Sequence, residues 1–93
     1  MPTIVATVKL KQGREEEAKA TFKTLAEETL ANEPGTLAYQ LYVTRGDPST
    51  IVVYERYESD EAFAIHSKNL GKKGAKLAEL LDGPPQLLIL EEL

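Results

Sequence analysis

Cysteine and tryptophan are absent from this 93-residue chain, and histidine and methionine occur once each. Without cysteine there is neither a disulfide nor a thiolate metal site. One histidine among scattered acids supplies no two-histidine ligand spacing, so no metal is expected. No apolar run approaches the roughly 18 residues of a membrane-spanning helix. The start, Met-Pro-Thr-Ile-Val-Ala-Thr-Val, shows neither the basic n-region nor the long apolar h-region of a signal peptide, and a soluble cytoplasmic protein with no membrane partner is expected. Positive charge is also scarce. Eleven Lys and Arg stand against fifteen Asp and Glu, a formal net charge of −4, with no basic block to release counterions from a phosphate backbone, which speaks against nucleic acid as a partner. Gly71 and Gly74 lack the surroundings of a glycine-rich phosphate loop, and no nucleophile motif or internal repeat is present.

What is present is one thin core. Hydrophobic residues make up 42% of the chain, and at this size only about 60–65% of the unfolded surface is buried on folding. With no covalent staple, a subunit interface is the expected further source of burial. Residues 1–93 are read as a single domain.

Thr3 to Leu10 alternates as a strand, with Ile4, Ala6, Val8 and Leu10 on one face and Thr3, Val5, Thr7 and Lys9 on the other. Glu15, Glu16 and Glu17 suit the positive end of a helix beginning near Gly13, and Ala18, Phe22, Leu25, Ala26, Thr29 and Leu30 form its apolar stripe. Asn32-Glu33-Pro34-Gly35 stops it. Thr36–Thr44 and Thr50–Tyr57 read as paired strands around a four- or five-residue loop at Arg45-Gly46-Asp47-Pro48-Ser49. Ser59 caps a second helical region that the glycines at 71 and 74 are expected to divide into two pieces with a hinge. Gln86 to Leu93, apolar on both faces, reads as a final strand covered on each side.

The order β-α-β-β-α-β predicts an α+β fold, the ferredoxin-like split βαβ arrangement, with both helices on one face of an antiparallel sheet. Val5, Val52 and Tyr54 then lie on the uncovered face, which points to a homodimer.

The chemistry gathers between Ile51 and His66. Glu55 interrupts the apolar face Ile51, Val53, Tyr57, and an acid there costs several kcal/mol unless it is paired, hydrogen-bonded or protonated. His66, a tyrosine hydroxyl, Arg45 and Arg56 are its candidate partners. Ala62, Phe63 and His66 share one side of the second helix, so His66 is expected to point where Phe63 points. A core histidine hydrogen-bonded to Glu55, with no substrate, fits the periodicity equally well.

The runs E-P-G-T-L-A-Y-Q-L-Y from Glu33 to Tyr42, Y-E-R-Y from Tyr54 to Tyr57 and S-D-E-A-F-A-I-H from Ser59 to His66, with G-P-P before the last strand, resemble the antibiotic biosynthesis monooxygenase family. The resemblance implies a dimeric α+β barrel. It also implies one of several activities: oxygenation of quinols or anthrones by dioxygen without metal or flavin, haem degradation, or isomerisation of a phosphorylated sugar. The haem degraders' pattern of a first-strand Asn, a second-helix Trp and an iron-binding His is missing here, with His66 near the Trp position and Lys76 near that of the ligand His.

The leading expectation is a cofactor-independent monooxygenase of a hydroxylated aromatic. In it His66, with an unperturbed pKa of about 6.5, takes the substrate proton, Glu55 orients or stabilises the imidazole, and Tyr39, Tyr54 and Phe63 meet the substrate. The alternatives are an isomerase or other proton-transfer enzyme on a small carbonyl compound, and a non-catalytic dimer that binds a small aromatic or hydrophobic metabolite.

Overall fold

The computed structural model describes residues 1–93. Its elements are β1 (Thr3–Lys9), α1 (Glu15–Asn32), β2 (Thr36–Thr44), β3 (Asp47–Tyr57), α2 (Asp60–Ala78) and β4 (Gln86–Leu90). The four strands form one antiparallel sheet in the order β2-β3-β1-β4. This is the ferredoxin-like split βαβ arrangement. In the β1–β3 register Ile4 lies opposite Glu55, Ala6 opposite Val53 and Val8 opposite Ile51, and all six are buried. Val5, Tyr54 and Val52 fall on the other face, as alternation requires.

α1 covers the sheet through Ala18, Phe22, Leu25, Ala26 and Thr29. Leu30, expected in that stripe, is 48% exposed. Thr29 fills the position facing the sheet, which leaves its neighbour, one residue further round the helix, on the flank. The helix begins at Glu15, close to Gly13 as expected, with Glu15, Glu16 and Glu17 in its first turn. Gly13 has φ +87°, a left-handed turn, and its N–H donates to Glu15 Oε1 at 2.7 Å.

α2 starts as the sequence signals, with Ser59 Oγ accepting from the Ala62 N–H at 3.1 Å. The expected hinge is absent: one helix runs from Asp60 to Ala78 through both glycines. Each helical glycine costs about 1 kcal/mol relative to alanine. Tertiary packing of Leu70 and Leu77, which flank the pair, on the main core offsets that cost. The loop after β2 is likewise shorter than predicted. Thr44 pairs with Asp47, leaving Arg45-Gly46 as a two-residue turn, with Gly46 at φ +79° and a register shift at Val43/Thr44. Asp47 then accepts from the Thr50 hydroxyl at 2.6 Å and the Ser49 N–H at 3.2 Å.

β4, expected to be covered on each side, is largely uncovered within the single chain. Leu87, Leu88, Ile89 and Leu90 are 52%, 62%, 60% and 43% exposed. No helix is long and apolar enough to cross a membrane.

Gly35 fixes how closely α2 approaches the sheet. A Cβ at this position would stand 2.6 Å from Ala62 Cβ, too close for two carbons. Gly35→Ala is therefore expected to destabilise the fold by about 1–3 kcal/mol, and Ala62→Gly in the same chain to restore part of that loss. Denaturant unfolding of the two variants checks it; additive losses in the double variant would disprove the contact.

Candidate active site

β3 delivers Ile51, Val53, Glu55 and Tyr57 to the helix-covered face. Glu55 is only 6% exposed, and the partner that answers it is Tyr57, two residues along on the same face, whose hydroxyl donates to Glu55 Oε1 at 2.5 Å. Burial pushes the Glu55 carboxyl above the ordinary glutamate range, while the Tyr57 hydrogen bond and the nearby His66 draw it partly back. Burial also raises the phenols of Tyr39 and Tyr57. The Glu55 bond and charge raise Tyr57 further, and the charges of Glu55 and Glu33 raise Tyr39. Both phenols therefore remain protonated, able to donate but not to act as bases.

His66 is 3% exposed on α2 and lies between two aromatic rings, with centroids 5.2 Å from Tyr39 and 5.5 Å from Tyr57. Its hydrogen-bond partner is not Glu55. Nδ1 stands 2.9 Å from Oε1 of Glu33, a residue at the corner between α1 and β2 that the sequence marks only as part of a helix stop. Asn69 donates to the other oxygen of Glu33 at 3.3 Å, and the Thr36 hydroxyl reaches Oε1 at 3.4 Å. Nε2 of His66 is buried without a hydrogen-bond partner.

A cavity of about 520 Å³ separates the sheet from the helices. Ala6, Val53 and Tyr39 contribute from the sheet, Phe22 and Leu25 from α1, and Leu70, Gly74 and Leu77 from α2, with Gly83-Pro84-Pro85 and Leu87 beside them. Glu55 is the one acidic side chain on this otherwise apolar wall, and the lining contains no lysine, arginine or histidine. Gly74 takes part because a Cβ there would meet nothing within 4 Å. A second groove, between α1 and α2 on the outer surface, carries Lys72, Lys73 and Lys76, and Lys73 is bound to Glu28 across it at 2.8 Å.

The fold thus brings together Glu55, Tyr39 and His66, with the first two on the cavity wall and His66 behind them. Phe63 shares its side of α2 with His66, as expected, but packs on Tyr57 at 5.2 Å in a small cluster with Ile4 and Ala62 and does not line the cavity. Tyr54 is separated from the rest. It lies on the opposite face of the sheet, across from Val5 and Gln40. Of the two participants not named as site residues from the sequence, Tyr57 was legible from its alternation with Glu55, and a tyrosine hydroxyl was among the expected partners of that acid. Glu33 was not, since nothing in local spacing ties it to a histidine 33 residues away.

A small split-βαβ domain with a buried carboxylate, phenol and imidazole beside an apolar cavity defines the class. Residues 1–75 match the family model for antibiotic biosynthesis monooxygenase. The chain belongs to that family. Solved structures agree. A candidate antibiotic biosynthesis monooxygenase from Caulobacter crescentus CB15 is 30% identical, with TM-score 0.90 over 99% of this chain and 89% of that one. A second candidate monooxygenase of this name, from Nitrosomonas europaea, is 21% identical with TM-score 0.89, over 100% and 99% of the two chains. A conserved protein from Methanosarcina mazei Go1 is 23% identical with TM-score 0.89, over 99% and 92%. The last two likenesses concern the fold alone. Comparison with curated proteins gives no match. The residues present do not fit a haem: the cavity wall offers no histidine, and the single imidazole is buried with Nδ1 engaged by Glu33.

The Glu55 carboxyl makes a prediction with a definite sign. Its folded-state pKa is raised, so its contribution to stability is fully present below the ordinary glutamate value and is lost as pH rises through the folded-state value. Glu55→Gln keeps an acceptor for Tyr57 but cannot ionise. Unfolding free energies measured across pH should show the variant gaining on the wild type from the acid range toward neutrality. A difference that does not change with pH would contradict burial as the dominant influence.

Proposed function

We propose that this chain is a monooxygenase that oxidises a neutral hydroxylated aromatic, quinol-like or anthrone-like, with dioxygen, the substrate itself supplying the electrons. The supporting observation is the cavity: an apolar wall with one carboxylate, one phenol donor and no cation. Glu55 touches the cavity and is the base. Its raised proton affinity makes it a better acceptor than an exposed glutamate, closer to the match between pKa and working pH that general-base catalysis favours. Tyr39 donates a hydrogen bond to the substrate oxygen, and His66 supports Glu55 from behind.

For an anthrone-like substrate, Glu55 removes a proton and the resulting anion passes one electron to dioxygen. Superoxide and the substrate radical combine, forming the new C–O bond. The peroxide, reprotonated, loses water as the second hydrogen leaves carbon and the O–O bond breaks. A CH₂ group becomes C=O, and the other oxygen atom departs with the two hydrogens. A phosphorylated sugar is a poorer fit, because a phosphate in this cavity would meet the Glu55 carboxylate and no positive charge.

Oxygen consumption with a panel of neutral quinols and anthrones tests the reading. Activity should fall about 10²-fold or more in Glu55→Gln, and carboxylated analogues of an accepted substrate should be turned over far more slowly. Binding with no oxygen uptake by any of the panel would favour the metabolite-binding alternative and remove the oxygenase.

The working unit in this proposal is a homodimer packed through the uncovered sheet face. In the register, Leu88, Val5 and Tyr54 form a continuous row across that face. A second copy would cover this row and the exposed leucines of β4, and it would border the cavity beside Leu87. Light scattering at micromolar concentration should find twice the chain mass, and Leu88→Asp should shift it toward the monomer; a monomeric wild type refutes the assembly.

A further inference from the structure

We propose that Glu33 is a positioning residue: it holds His66 as the neutral imidazole protonated on Nδ1, leaving the buried Nε2 lone pair as a second proton acceptor behind Glu55. The catalytic meaning rests on the oxygenase reading above; the tautomer does not.

An ionised Glu33 can only accept, so with Glu33 as the carboxylate the 2.9 Å contact places the proton on Nδ1. A neutral ring then carries a bare Nε2. That nitrogen is buried and finds no donor, in a ring whose aromatic neighbours are Tyr39 and Tyr57. An unpartnered buried polar atom is a penalty that native structures seldom carry without a use for it. The carboxylate is itself held in place. It sits where α1 ends, its two oxygens are met by Thr36 from β2 and Asn69 from α2, and its backbone N–H bonds to the Thr29 carbonyl.

The titratable groups around the imidazole are Glu33 from the α1–β2 corner, Tyr39 from β2, and Glu55 and Tyr57 from β3. Both phenols stay protonated, which leaves Glu55 and Nε2 as the remaining buried acceptors. A proton that reaches Nε2 makes an imidazolium whose Nδ1–H stays on Glu33, as a carboxylate supports the histidine of a hydrolase triad. The proton returns to the peroxide before water is lost, so none is gained or lost over the cycle.

Because His66 is the only histidine, long-range ¹H–¹⁵N correlation of the labelled full chain reads its ring directly. At a pH where the ring is neutral, Nδ1 should resonate in the protonated range and Nε2 in the bare range. Glu33→Gln, which keeps an acceptor, should preserve this pattern, whereas Glu33→Ala should reverse it toward the Nε2–H form that predominates in unstructured histidine. A wild-type proton on Nε2, an imidazolium that persists into the alkaline range, or an unchanged tautomer in Glu33→Ala would each overturn the proposal. None of these outcomes depends on oxygen uptake, so failure here and failure of the oxygenase reading are separable.

Discussion

A carboxylate on the buried face of the central strand β3 is the constraint around which the site is arranged. Glu55 would be too costly to keep unpaired in this core, and the Tyr57 hydroxyl is its direct answer. That one bond links the site to the packing of the fold, since Tyr57 is fully buried and contacts Ile4, Ala62 and Phe63. It also orders the titrations. The phenols are driven up and remain donors, while Glu55 keeps a raised affinity for a proton and a hydrogen bond that still favours its anion. An apolar cavity with such a group on its wall suits a step in which a proton leaves a weak organic acid.

The period-2 and period-3.6 patterns located every element, because alternation and helical stripes are direct projections of burial. Ser59 and the acids after it marked the start of α2 correctly, since a cap is a local interaction. Errors arose where local preference met tertiary packing. The glycines at 71 and 74 weaken a helix in isolation, yet Leu70 and Leu77 hold this one on the core. In the turn after β2, Gly46 alone permits a reversal that five turn-forming residues had suggested would be longer.

The site was legible in part. The face of β3 exposed Glu55 as anomalous, and its Tyr57 partner follows the same alternation. The Glu33–His66 pair was hidden, because it joins a helix terminus to the middle of another helix and has no periodic signature. Tyr54 shows the opposite difficulty. Its sequence neighbourhood suggested the site, but one residue along a strand is a change of face, and it lies on the uncovered side to which alternation had already assigned it.

The bare position at Gly74 has a consequence for how such a domain diversifies. A mid-helix glycine surrenders about 1 kcal/mol that alanine would return, and here the space thereby left open belongs to the cavity. Capacity and rigidity are therefore set against each other at a single α2 residue. Side chains of increasing size at that position would shrink the chamber in steps while firming the helix that roofs it. A lineage of such proteins has a way to change which ring systems it admits without disturbing the Glu55 wall.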